Sequence, residues 1–335
     1  MTVRDAFARQ GPVCEALGSP FMGRLMPLIG AWLQRGTSVA DRILDWPGDT
    51  SAAGDSVPLR LAGALHALKI EGIALGEEYP PYEVTDDALW AAVETALKQH
   101  ETRIHRWLDS PPQTNEVRRA AALLPALALI AKAFGKPVEL LELGTSAGLN
   151  LRCDQFRLHV PGGGIGPETS PVVLSPDWSG TPPSGPLPQV VARRGVDLNP
   201  LDPQKPADRL RLMAYLWPDQ PERLARTQAA MELAGQVPAE ITAGDAGEWT
   251  ETALATSAPD RVRVLFHTIA WQYFPDATKA RARAAMERSA SPLVRVGMEA
   301  DGGKGAAITM TTWPGGESRH LGRASFHGIW VDWVA

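Results

Sequence analysis

Along the first 135 residues the apolar positions recur at the three- and four-residue spacing of helices, whereas beyond them they condense into short unbroken runs. Phe21, Leu25, Leu28, Ile29, Trp32 and Leu33 form one stripe that Gly36 can end, and Leu61, Leu65 and Leu68 repeat it. Thr85 is placed to cap a longer helix carrying Leu89, Val93, Leu97, Ile104, Trp107 and Leu108, which Pro111 and Pro112 stop. Thr114 can cap another, with Val117, Ala121, Leu124, Leu127 and Phe134, ended by Gly135. The pattern then changes abruptly. Residues 138–143 are an apolar run bounded by Pro137 and Gly144, as expected for a strand buried on both faces. Further strands are expected at 156–160, 239–243, 262–267, 293–299, 306–312 and 328–334, with helices at 208–217, onward to about 234, and 276–289.

The run at 138–143 leads into Gly144-Thr145-Ser146-Ala147-Gly148. Two glycines let the backbone turn tightly toward a helix, and such a turn is expected to aim unpaired amide N–H groups above the sheet edge. Two chemistries use this shape. One is the G-x-S-x-G nucleophile elbow of hydrolases, with Ser146 as nucleophile. The other is a cofactor-binding turn in which Glu142 precedes the first glycine. An elbow needs several strands before the nucleophile strand, and none is expected upstream of Pro137. The glycines can also serve only to let helix and strand pack closely.

Composition narrows the partners more than the chemistry. With 335 residues, 44% hydrophobic and 21% charged, the chain is long enough for two folded domains. The formal charge is −5 and no cluster of Lys and Arg suggests a nucleic-acid footprint, so a small-molecule substrate is expected. Cys14 and Cys153 are far apart and without metal-ligand spacing, which fits a reducing compartment and no metal site. No apolar leader or membrane-length apolar stretch is present, so a cytoplasmic protein is expected; the oligomeric state is not legible.

Other candidates surround this turn in sequence. Asn115, Glu116 and Arg119 form a polar entry to the helix that feeds the first strand, either as an ordinary helix start or facing the mouth of the sheet. Residues 161–221 are rich in Pro and Gly and carry Arg193, Arg194, Asp197 and Asn199; a connection this long is expected to be functional. Its paired arginines would suit a carboxylate or phosphate on a substrate. Asp245 follows the strand at 239–243, where it can cap the next helix. His267 ends the strand at 262–267, where a lone histidine is either a general base near neutral pH or, more often, a hydrogen-bonded structural residue, and Gln272 and Tyr273 follow it.

Glu142-Leu143-Gly144-Thr145-Ser146-Ala147-Gly148 resembles motif I of class I S-adenosylmethionine (SAM) dependent methyltransferases, with Ser146 where glycine is usual. Together with Trp217-Pro218-Asp219-Gln220, Gly244-Asp245-Ala246 and residues 267–275, over nearly the whole chain, it resembles the bacterial DUF2332 family. The resemblance implies an α/β fold: a helical domain at 1–135, then a Rossmann-like methyltransferase sheet at 136–335, mostly parallel with the last strand antiparallel, carrying an inserted cap at about 161–235. It implies SAM as cofactor, cradled by Glu142, Gly144, Ser146 and Gly148, with Asp245 and Ala246 at the adenine. His267, Gln272 and Tyr273 would face the methyl acceptor, a small polar or anionic molecule, with Asn115, Glu116, Arg119, Arg193, Arg194, Asp197 and Asn199 lining its site. The acid that usually ends the second strand and holds the ribose is missing after residue 160, where Pro161 and three glycines follow; Asp154 or Glu168 can stand in. Two alternatives stay open. One is a Ser146 hydrolase using Asp245 or Asp301 with His320 or His327. The other is a non-catalytic SAM-binding or interaction protein.

Overall fold

A computed structural model describes residues 2–335. Six helices come first: α1 (Val3–Ala16), α2 (Pro20–Trp32), α3 (Ser38–Leu44), α4 (Val57–Ile70), α5 (Asp86–Gln99) and α6 (Glu101–Leu108). Short polar side chains start four of them. Thr2, Ser19, Thr37 and Thr85 each accept a backbone N–H from the first turn, satisfying a donor that the helix itself leaves unpaired. The pattern alone misses α1, whose stripe is diluted by Arg9 and Gln10 and interrupted by Pro12. Phe7, Leu25, Ile29, Leu61, Leu65, Leu89, Val93 and Ile104 belong to the buried core of these helices.

After α7 (Ala120–Phe134), closed by Gly135 in the left-handed region, strands take over. They are β1 (Val138–Leu143), β2 (Arg157–Val160), β3 (Gly163–Ile165), β4 (Val173–Leu174), β5 (Asp177–Ser179) and β6 (Val190–Asp197). Then come α8 (Pro206–Ala214), α9 (Pro221–Gln236), β7 (Glu240–Ala243), α10 (Ala246–Leu254), β8 (Val262–Thr268) and α11 (Asp276–Glu287). The chain ends with β9 (Leu293–Ala300), β10 (Ala306–Trp313), β11 (Glu317–Ala324) and β12 (Trp330–Trp333). No helix among the described residues is long and apolar enough to cross a membrane.

Nine strands form one mixed, mostly parallel sheet in the order β5-β12-β11-β10-β9-β8-β1-β6-β7. The central strand β1 is flanked in parallel by β6 and β8 and is buried along its whole length, which its unbroken apolar run requires. From β9 to β12 the strands pair antiparallel as a meander, so three pairings rather than a single last strand run against the rest. The sequence reading missed β11 because its first half, Glu317 to His320, is exposed and polar and shows no apolar alternation.

The expected second strand is also corrected. Residues 157–160 pair with β3 and β4 in a separate three-stranded sheet, and β6 is the neighbour of β1. Arg193 and Arg194 hid it. Their charges are neutralised within the fold, Arg193 by Asp154 at 2.5 Å and Arg194 by Glu139 at 2.6 Å, so a strand bearing two arginines can lie beside the central one.

The chain divides into two compact units, one running up to Thr114 and including Lys205–Ala225, the other comprising Asn115–Gln204 and Arg226–Ala335. The division therefore falls ahead of α7 rather than at residue 136. The stretch 161–235 is not one inserted cap: it supplies β3 and β4 of the small sheet, β5 and β6 of the large sheet, and the segment Lys205–Ala225 that is assigned to the first unit.

Candidate functional site

The parallel strands β1, β6, β7, β8 and β9 all point their carboxyl ends to one edge of the sheet. Strand order reverses between β1 and β8, with β6 and β7 on one side and β8 and β9 on the other. Ligands of open α/β sheets bind at such a reversal. The turn after β1 is held there with Gly144 at φ 71°, Ser146 at φ 52° and Gly148 at φ 66°. Packing and backbone both require Gly144, whereas Gly148 is held chiefly by its positive φ, since the atoms beside it are the ends of flexible side chains. A Cβ on Gly144 would sit 2.6 Å from the Cβ of Ala270, and one on Gly148 would sit 2.6 Å from Cδ1 of Ile241.

The amides of this turn are not available as expected. Val196 O accepts from Gly144 N and Thr145 N, Asp197 Oδ2 from Ser146 N at 2.8 Å, Thr145 O from Gly148 N, and Asn115 Oδ1 from Leu149 N at 2.8 Å. A pyrophosphate cradle, which needs those donors, is thereby disfavoured. The short β1–turn connection satisfies those of Gly144, Thr145 and Ser146 against β6 instead.

Asp197 is the residue whose place the sequence concealed. It ends β6, the strand beside β1, and its other oxygen, Oδ1, accepts from Asn199 N at 2.9 Å. Its neighbour Leu198 is 71% exposed, an apolar side chain offered at the rim beside a carboxylate. Neither Asp154 nor Glu168 sits there: Asp154 is bound to Arg193, and Glu168 lies in the turn between β3 and β4, 4.0 Å from Arg157.

Beneath this rim, Ser146 Oγ and Asn150 Oδ1 are buried without a hydrogen-bond partner. Glu142 is buried too and accepts from Thr145 Oγ1 at 2.6 Å. Burial pushes its carboxyl up to about pKa 8, against the pull of the Thr145 hydrogen bond and of the Arg152 and Arg119 cations. A carboxyl that titrates near neutrality at the end of the central strand is a candidate for proton handling.

The polar residues ahead of α7 hydrogen-bond to the turn after β1 and to the end of β8. Asn115 caps the turn as described, Glu116 O accepts from Asn150 Nδ2, and Arg119 donates to Thr268 O at 3.1 Å and Phe326 O at 3.0 Å. Arg119 thus ties the end of β8 to the loop between β11 and β12. Arg193 and Arg194 are strand residues committed to ion pairs, with Arg194 opposite Leu141 in register, so they do not form an anion site over the edge. Asp245 is consumed structurally: it caps α10 through Gly247 N and Glu248 N and accepts the Thr278 hydroxyl, with Ala246 buried as the first helical residue.

His267 is the largest correction among the expected catalytic residues. Its ring is buried, its Nδ1 is 2.7 Å from Glu299 Oε1, and its Nε2 accepts from Arg295 Nε at 2.9 Å. Because the Arg295 guanidinium can only donate, Nε2 spends its lone pair on it and Nδ1 carries the proton toward Glu299, which leaves no lone pair for a substrate proton; burial also lowers the pKa of the ring. Gln272 accepts from Ala300 N, and Tyr273 is 72% exposed on the turn beyond.

The model of the family described as uncharacterized protein conserved in bacteria (DUF2332) matches residues 4–333. The chain belongs to the DUF2332 family. No curated protein and no solved structure matches it. What this DUF2332 chain can hold follows from its own residues. At the rim, Asp197 accepts only one backbone N–H on each carboxylate oxygen and Leu198 is exposed beside it, while the Ser146 hydroxyl below is buried without a partner. Serine hydrolysis fits poorly. Ser146 Oγ has no base within hydrogen-bond reach, Asp301 is bound to Arg323, and His320 lies exposed on β11.

Proposed function

We propose that this protein binds SAM at the carboxyl edge beside Asp197 and directs its methyl group to a small polar molecule. The observation that carries this reading is the link from Asp197 Oδ2 to Ser146 N, which joins an acid at the end of β6 to the glycine turn after β1. One group could meet ribose hydroxyls while the other lies beside the rest of the cofactor. The strand order supports it, since the crevice falls between β1 and β8. SAM, when bound, brings a methyl group already activated on its sulfonium. The chain's own part is to bind, to align the acceptor and to exclude water. Glu142, buried and titrating near neutrality, is the group placed to exchange a proton beneath the turn. A polar rather than an anionic acceptor suits this edge, because Arg193 and Arg194 are paired inside the fold.

The test is thermal stability with SAM or its demethylated product, since a ligand selective for the folded state stabilises it by about 2.7 kcal/mol at roughly a hundredfold excess over Kd. Asp197→Asn keeps one acceptor oxygen for the local N–H groups and should lose most of that gain. Absence of both stabilisation and calorimetric binding at millimolar ligand sinks the reading.

A further inference from the structure

The turn between β8 and α11 is built around a carboxylate. Ala270 N and Trp271 N each donate to Glu299 Oε1 at 3.0 Å, and Gln272 N approaches Oε2 at 3.5 Å. Successive amides converging on one acceptor form a nest of the kind that ordinarily captures an anion from outside. Here the anion is the chain's own. Burial opposes the charge on Glu299, but the His267 hydrogen bond and the amides outweigh it and hold its pKa low.

The same turn is strained. Ile269 stands at φ 52°, a conformation that a β-branched residue adopts only when its surroundings impose it. Its surroundings are a chain of contacts. Arg295 donates to His267, lies 4.2 Å over the Trp271 ring, and leaves His267 to hold Glu299 from the other nitrogen. His267 also stacks on Trp271 at 5.0 Å between ring centres. Gly297, opposite His267 in β9, clears the ring: a Cβ there would meet Cε1 at 3.0 Å. The turn so fixed places Ala270 against Gly144 and carries Gln272 and the exposed Tyr273 on the edge.

We propose that Glu299, oriented by His267 and Arg295, is a positioning residue that fills the amide nest at residues 270–272 and thereby fixes the strained turn on the β8 side of the crevice. The nest itself does not depend on what the edge binds. Only the consequence for ligand affinity rests on the SAM reading, and the two are measured separately.

The experiment is amide hydrogen exchange on the full chain for wild type, Glu299→Gln and Glu299→Ala, with and without formate. In Glu299→Ala the amides of Ala270 and Trp271 should exchange faster by on the order of a hundredfold, while β1 and β8 amides stay protected. Formate should restore protection by occupying the vacated nest, and Glu299→Gln, which keeps an acceptor oxygen, should be intermediate. Uniform acceleration across β8, or no recovery with formate in a variant that is otherwise folded, overturns the proposal; should Glu299→Ala not fold, unchanged exchange at 270–271 in Glu299→Gln does so. SAM affinity measured on the same variants reads the second question: no SAM binding by wild type removes the functional reading and leaves the nest result standing.

Discussion

Replacing Glu142 by glutamine isolates what burial of one carboxyl costs this fold. The carboxyl keeps its proton in the folded state up to about pH 8, whereas in the unfolded chain it releases it near its ordinary value of 4.5. Between those values folding takes up a proton, so the unfolded state binds fewer, and stability must fall as pH rises. Each pH unit crossed in that window removes about 1.4 kcal/mol, and going from about pH 5 to about pH 8 wild type should lose roughly 3 kcal/mol from this group. The amide of Glu142→Gln cannot ionise, and its oxygen can still accept from Thr145 Oγ1. The variant should therefore be little different from wild type in acid and markedly more stable in base. Denaturant midpoints of both proteins across this range measure the difference, because every other titrating group contributes to both and cancels. A difference that stays constant with pH would show that Glu142 ionises normally and is solvated or paired in the fold, and its candidacy for proton transfer would go with it.

Gly144→Val should destabilise the α/β unit by about 2–5 kcal/mol, combining the left-handed φ with overpacking against Ala270, and Ala270→Gly should recover part of the loss in denaturant titrations. Asp245→Ala removes a helix cap and strands the Thr278 hydroxyl, at a cost of about 1–3 kcal/mol in thermal unfolding with no selective loss of ligand stabilisation. Ser146→Ala deletes a buried hydroxyl without a partner and should leave stability unchanged or raise it by about 1 kcal/mol. A fluorophosphonate probe should leave wild type unlabelled, and stoichiometric labelling lost in that variant would restore the hydrolase alternative.

What the sequence determined by itself was local. The helical periodicity before residue 110, the cap at Thr85, the buried strand at 138–143 and its glycine turn are all written in neighbouring residues, because apolar spacing and unpaired helix donors act over a few positions. Tertiary structure decided which segments became neighbours. Residues 190–197 look too charged for the middle of a sheet until Asp154 and Glu139 arrive from elsewhere in the chain to neutralise Arg193 and Arg194. That pairing moved the second strand away from 157–160 and with it brought Asp197 to Ser146, a contact across 51 residues that no spacing rule announces. The glycines of the turn were legible as glycines, but only Ala270 pressing on Gly144 reveals that packing, and not the turn alone, requires one there. Likewise the sequence leaves His267 open as a base or a structural residue, and only the arrival of Glu299 and Arg295 on its two nitrogens makes it a brace. Charge and lone pairs are spent between partners distant in sequence, so the chemistry available at the edge is set by the fold and not by the motif.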